Sequence, residues 1–347
     1  MMSLVSTRSL KPLLSSTLAV VAAFLSGGIF LWLVGKDPVQ AYGILFSRGI
    51  GSSFGLTETL IKMAPLLLVS AGLLVALKAS VWNIGVDGQF LIGASLVGLV
   101  APRLAGVIPY FLMLSLCALV GVGGGIAWGV VPAVLKVRYG LNEIITTIMM
   151  NYVAVYLTSW LVKGPFRDPS VVAPQMPLIP EAFRLPALPF TRIHLGLVVG
   201  LAAVLLVYLM FRYSTVGFAL MVLGRSRKAA LHAGMPVNRL VVMAMLASAG
   251  LAGLAGANDV LGVKGLFQGE WNPMYGLTGF ALVFLARLNG LGVIPLAYFF
   301  ALLDFGGEMM ARTAQIPAFF VPMLEGLMLI FLAVGAYFER KYLGEVD

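Results

Sequence analysis

Long apolar runs recur along the whole chain, and each approaches the ~20 residues that a helix needs to cross a bilayer. Such runs leave few options. In hydrocarbon every backbone N–H and C=O must be satisfied within the segment, so the spanning form of each run is an α-helix. Hydropathy places about ten of them, near residues 18–34, 62–77, 88–101, 109–135, 142–162, 194–211, 240–257, 276–287, 290–304 and 318–337. Composition agrees: 60% of the 347 residues are apolar and 11% charged, where a soluble domain is about a quarter charged. The expected fold is therefore all-α, a polytopic membrane protein forming one transmembrane domain over residues 1–347.

The net charge of +9 does not indicate a nucleic-acid partner. The basic residues sit singly or in small groups between apolar runs, without the interleaved aromatics of a basic face. They read as topology determinants. A cytoplasmic N-terminus puts Arg8, Lys11, Lys78, Lys136, Arg138, Arg212, Arg225, Arg227, Lys228, Arg239, Arg287, Arg340 and Lys341 inside, more than half of the 23 basic residues. Both termini are then cytoplasmic, the basic 212–239 loop is inside, and the 163–193 loop is outside. The outer loop carries Pro165, Pro169, Pro174, Pro177, Pro180, Pro186 and Pro189, too many for a continuous helix. The first run continues well past Ser26-Gly27-Gly28, so it reads as an uncleaved membrane helix rather than a signal peptide.

Cys117 cannot form an internal disulfide, and no cluster of Cys and His residues points to a metal. His194 and His232 read as structural. Three runs, 88–101, 276–287 and 290–304, are short for a span. Short or Gly-interrupted segments mark broken helices beside transport paths. Trp82-Asn83-Ile84-Gly85-Val86-Asp87-Gly88-Gln89-Phe90 places amides and a carboxylate among apolar residues. Asn83, Asp87 and Gln89 either line a path at a broken helix or belong to an ordinary turn, with Asp87 suited to cap the helix it begins. A second stretch, Gly140-Leu141-Asn142-Glu143 through Asn151-Tyr152, brings Asn142, Thr146 and Asn151 to the start of a span. Polar groups at membrane depth face a cavity or bond neighbouring helices. Glu325 is a lone carboxylate deep in an apolar run. Small residues spaced by four, Gly121, Gly125 and Gly129 in one run and Ala249, Gly253 and Ala257 in another, read as helix-packing stripes.

The two polar stretches resemble those of permease subunits of bacterial ABC importers, in the branch of ribose-type, branched-chain amino-acid and nucleoside-uptake permeases. The loop motif Ala229-Ala230-x-x-x-Gly234 adds to the likeness. In that family the loop is a coupling helix seated on the ATPase. The resemblance thus implies coupling roles for Arg225, Arg227, Lys228, Ala229, Ala230 and Gly234, although Lys228 stands where a glutamate is common. It implies separate ATPase subunits, a second and often different permease chain, an external solute-binding protein, and a plasma-membrane location. A nucleoside is the cargo expected from the likeness; sugars, branched-chain amino acids or an ion-coupled carrier are the alternatives. The chain has no G-x-x-x-x-G-K-[ST] phosphate loop, so any ATP hydrolysis belongs to another subunit and no cofactor is expected.

Overall fold

The computed structural model describes the backbone of residues 6–343 and the side chains of residues 15–338. The side chains of Arg8, Lys11, Arg340 and Lys341 lie outside the described residues. Within the described residues the chain forms thirteen α-helices and no β-sheet. They are α1 (Ser6–Leu33), α2 (Pro38–Ile50), α3 (Ser53–Lys78), α4 (Val86–Leu104), α5 (Tyr110–Tyr139), α6 (Glu143–Lys163), α7 (Gly196–Tyr213), α8 (Thr215–Arg225), α9 (Arg227–His232), α10 (Val237–Asp259), α11 (Tyr275–Leu285), α12 (Val293–Ala314) and α13 (Phe320–Leu343).

Among the described residues eight helices are long and apolar enough to cross a membrane: α1, α3, α5, α6, α7, α10, α12 and α13. The other two hydrophobic runs become α4 and α11. The ten expected segments are thus all helical, but two of the three runs expected to be short are longer. The 88–101 run lies within α4, 19 residues long, and the 290–304 run is the front of α12, 22 residues long, because Asp304 and Glu308 end the apolar run without ending the helix. The 276–287 run stays short as α11, 11 residues long. At ~1.5 Å per residue it reaches about half of a ~30 Å hydrocarbon core.

Why α3 lies at the centre follows from its sequence. It is apolar on every side, as in Leu66-Leu67-Leu68-Val69, and each of these is at most 1% exposed. A helix apolar all round is buried on every face. It packs on α7, α10, α11 and α12. The two small-residue stripes face each other across the α5–α10 contact. A Cβ on Gly253 would lie 2.1 Å from Gly121 O, and one on Gly125 would lie 2.1 Å from Ala249 O. Glycine here is what permits backbone-to-backbone approach.

Two helices were not foreseen. Asp37 caps α2, accepting from Val39 N–H at 2.8 Å, with Pro38 in the first turn. The signal was present in Asp37-Pro38, but the helix is too short and too polar on one side to register as a span. It packs on α12. The basic loop holds two helices, α8 and α9, where the resemblance implies a single coupling helix. Ser226 divides them, and its hydroxyl accepts from Ala229 N–H at 3.2 Å.

Beyond α10 the chain makes a π-turn (Val260–Lys264) that ends at Gly265 in the left-handed region, φ 73°. The proline-rich segment covers this turn with backbone hydrogen bonds. Met176 N–H donates to Phe267 O at 2.9 Å, Ile179 N–H to Gly265 O at 2.8 Å, and Leu185 N–H to Leu261 O at 3.0 Å. Only Glu181–Phe183 within it is helical, a single short 3-10 turn. Residues 265–274 then lead to α11.

Candidate translocation site

The amides of the first polar stretch do not face open space. Asn83 and Gln89 form a reciprocal pair: Asn83 Nδ2 donates to Gln89 Oε1 at 2.8 Å, and Gln89 Nε2 donates to Asn83 Oδ1 at 3.0 Å. Asn83 also donates to Ser248 Oγ of α10 at 3.0 Å. All three are buried. A buried amide must find partners, and this ring ties the 79–85 turn to α10 inside the helix bundle.

Asp87 does not cap the helix it begins. Gly85 is the N-cap residue of α4, and the Asp87 carboxylate crosses to α11, where Gly276 N–H donates to Oδ1 at 2.7 Å. The N-termini of two interrupted helices therefore abut, and a carboxylate from one meets the positive end of the other. Asn151 holds the partner side. It accepts from Gly88 N–H at 2.8 Å and donates to Ile84 O at 2.8 Å, fastening α6 to the start of α4. Asn142 is the N-cap of α6, accepting from Ile144 N–H at 2.9 Å, and it is exposed. Thr146 bonds back to Asn142 O at 3.2 Å. The spacing of four thus serves the helix's own first turn rather than joining the Asp87 group.

Glu325 is buried, and Thr278 Oγ1 donates to its Oε2 at 2.7 Å. It lines a cavity of about 210 Å³ together with Asp304, Asn272 and Phe319. On the other side of α11, Asp87, Asn151, Tyr152 and Phe280 line a second cavity of about 310 Å³. Asn272, Met274 and Leu277 border both. The structure so brings Asp87, Asn151 and Glu325 to the two sides of one half-helix, and leaves Asn83, Gln89, Asn142 and Thr146 behind or away from it.

Sequence reading missed Asn272, Thr278, Lys62 and Asp304. Lys62 of α3 pairs with Asp304 at 2.8 Å and with Glu308 at 2.6 Å, both on α12. Buried Asp259 accepts from Tyr275 Oη at 3.4 Å. Met274 and Glu270 hold φ of 56° and 60° without being glycine. Such conformations cost of order 1–3 kcal/mol and gather at functional sites, and these two flank Trp271-Asn272-Pro273 where the chain enters α11. On the exposed rim, the Lys163 ammonium holds the Glu270 carboxyl below its ordinary range.

Interrupted helices that abut through a carboxylate, with a cavity on each side of the shorter one, define a membrane transport protein by class. The chain belongs to the family of branched-chain amino acid transport system permease components, whose model matches residues 55–333. It is similar to a glucose ABC transporter permease protein of Haloferax volcanii, 32% identical over 94% of this chain and 88% of that one. It is similar also to a guanosine ABC transporter permease protein of Bacillus subtilis, 28% identical over 98% of each chain. A nucleoside ABC transporter permease protein of Lactococcus lactis is 28% identical over 93% of this chain and 91% of its own length. The chain is accordingly an ABC transporter permease subunit, a multi-pass transport component and not an enzyme.

Proposed function

We propose that the chain forms the translocation path of an ATP-driven importer for a small polar solute, and that the solute is a nucleoside. The observation that carries the path is the abutment of α4 and α11 at Asp87, with a cavity on each side of α11. Asp87, Asn151 and Glu325 border it. Asn83, Gln89, Asn142 and Thr146 act as its supports, holding the turns and helix ends from which it is built. The nucleoside reading draws on two of the relatives, named for guanosine and nucleosides; the Haloferax relative, named for glucose, supports a sugar as the second reading. The whole chain works as one transmembrane domain. It operates in the plasma membrane with separate ATPase subunits, a second and different permease chain and an external solute-binding protein.

Labelled nucleosides, sugars and amino acids offered to cells with and without the gene test the cargo. Nucleoside uptake is expected to fall on deletion, and a fall confined to glucose or to amino acids overturns the nucleoside reading. The chain alone in liposomes, given a proton or sodium gradient, is expected to accumulate nothing. Concentrative uptake there would show an ion-coupled carrier.

Both termini and the 212–239 loop face the cytoplasm, and the 163–193 loop faces outward. Arg225, Arg227 and Lys228 on the inner loop support this orientation. In a Cys117→Ala background, an impermeant thiol reagent applied to intact cells is expected to label Ser170→Cys and spare Ser226→Cys. Both positions are exposed, so the reverse pattern inverts the topology.

A further inference from the structure

The two cavities beside α11 differ in chemistry. Between α11, α12 and α13, each polar side chain is held by one atom and leaves another without a protein partner. Glu325 accepts from Thr278 through Oε2. Asp304 meets Lys62 through Oδ2. Asn272 accepts from Met274 N–H through Oδ1 at 3.0 Å. Among the described residues Glu325 Oε1, Asp304 Oδ1 and Asn272 Nδ2 have no hydrogen-bond partner, yet none is among the buried atoms cut off from solvent. The three residues line one cavity, where these atoms are open to a solute. Two carboxylate oxygens and one amide N–H make an acceptor, acceptor, donor set. Neighbouring hydroxyls, each able to donate and accept, match such a set.

The cavity on the α4–α6 side is walled by Ile84, Ile148, Tyr152, Val155 and Phe280. Of its two amides, Asn272 is shared with the other cavity and Asn151 spends both ends on backbone groups. What its own side leaves is one carboxylate acceptor, Asp87 Oδ2, because Oδ1 takes Gly276 N–H. An apolar slot with aromatic edges and one acceptor suits a flat ring that carries an N–H donor.

We infer that the two cavities are the halves of one solute site: the Glu325–Asp304–Asn272 side takes the hydroxyls of a pentose, and the Tyr152–Phe280 side takes the attached base. Asn272, Met274 and Leu277, common to both, stand at the glycosidic link. This rests on the reading of the chain as a nucleoside permease and deepens it. A free hexose is a puckered ring ringed by hydroxyls and has no flat base to place in the apolar half, so the site discriminates in favour of a glycoside with a planar base.

The test uses the complete transporter in proteoliposomes, with its ATPase and solute-binding protein, and compares uridine with 2′,3′-dideoxyuridine. The binding protein is the same in every arm, so its own preference divides out of a variant-to-wild-type ratio. Glu325→Gln keeps an acceptor for Thr278 and puts amide N–H donors where the second carboxyl oxygen would accept from the hydroxyls. It is expected to slow uridine on the order of tenfold, the value of a hydrogen bond replaced by two facing donors, and to leave the dideoxy compound nearly unchanged. Asn272→Ala should move the same ratio in the same direction, and serves if the glutamine variant does not insert. Tyr152→Ala, at an exposed position, should slow both compounds equally. Equal losses of the two nucleosides in Glu325→Gln and in Asn272→Ala overturn the assignment of halves. A wild-type transporter that carries glucose and neither nucleoside overturns the cargo reading itself, whatever the variants do.

Discussion

Gly253→Leu is expected to prevent the bundle from assembling, while Gly123→Leu is tolerated. The two glycines sit on opposite sides of the same question. A Cβ on Gly253 would lie 2.1 Å from Gly121 O and 2.9 Å from Gly125 Cα, all backbone, which has no rotamer to yield. The helices would have to separate. Overpacking at a tight contact costs ~1–3 kcal/mol and sometimes more, and membrane helices hold together by just such close packing rather than by a hydrophobic drive. The loss would reach Ser248 too, because α10 presents that hydroxyl to Asn83 from the same helix. Gly123 lies on α5 between the stripe residues, and its Cβ would meet nothing within 4 Å. Thermal unfolding of the detergent-solubilised chain, followed by size exclusion, separates the cases. A Gly253→Leu protein that elutes and melts like Gly123→Leu would dispose of the packing account.

Those stripes were legible because their message is local: small residues four apart on one helix need no knowledge of the partner. The same holds for the ten apolar runs. Legibility fails where the partner is far away in sequence. Asp304 and Glu308 looked like the end of a span because nothing nearby neutralises them; Lys62 does, from a helix more than two hundred residues earlier. Asp87 had the side chain of an N-cap residue and stood at a helix start, yet it serves α11, and no spacing rule could name Gly276 as its donor. The α2 helix shows a second cause. Asp37-Pro38 announces a start, but an apolar threshold suited to spans discards a 13-residue helix.

At the site, the same division explains what was found and what was missed. Asn83, Gln89 and Asn151 stood out as polar residues in apolar company, a signal of cost that sequence displays well. Whether the cost is met by a cavity or by another amide depends on three-dimensional neighbours, and for Asn83 and Gln89 the answer is each other. Asn272 was passed over because it sits in a loop, where polarity is ordinary. Its importance comes from the loop's descent to the start of α11.

On the 212–239 loop, Ala229→Trp is expected to leave the permease folded and inserted but to cut transport on the order of tenfold or more, by spoiling the proposed docking of α9 on the ATPase. The structure decides which alanine to use. Ala230 is fully buried and packs inside the loop, so a large residue there would disturb the permease itself. Ala229, Ala233, Arg225, Arg227 and Lys228 are exposed and form the face open to a partner. Gly234 closes α9 with φ 71°, a left-handed turn that a side chain would strain. A push on that face has a short route inward. Gly224 of α8 is so close to the end of α3 that a Cβ on it would fall 2.0 Å from Lys78 O. From Lys78 the chain enters the 79–85 turn, which holds Asn83 and delivers Asp87 to α11. The competing view is that α9 rests on lipid headgroups, where an added tryptophan is welcome. Co-purification of the ATPase and solute-stimulated ATP hydrolysis separate the two, since both should drop in Ala229→Trp while expression and thermal unfolding stay at wild-type values. Full ATPase retention with normal stimulated hydrolysis in that variant would assign α9 to the membrane surface and end the coupling role.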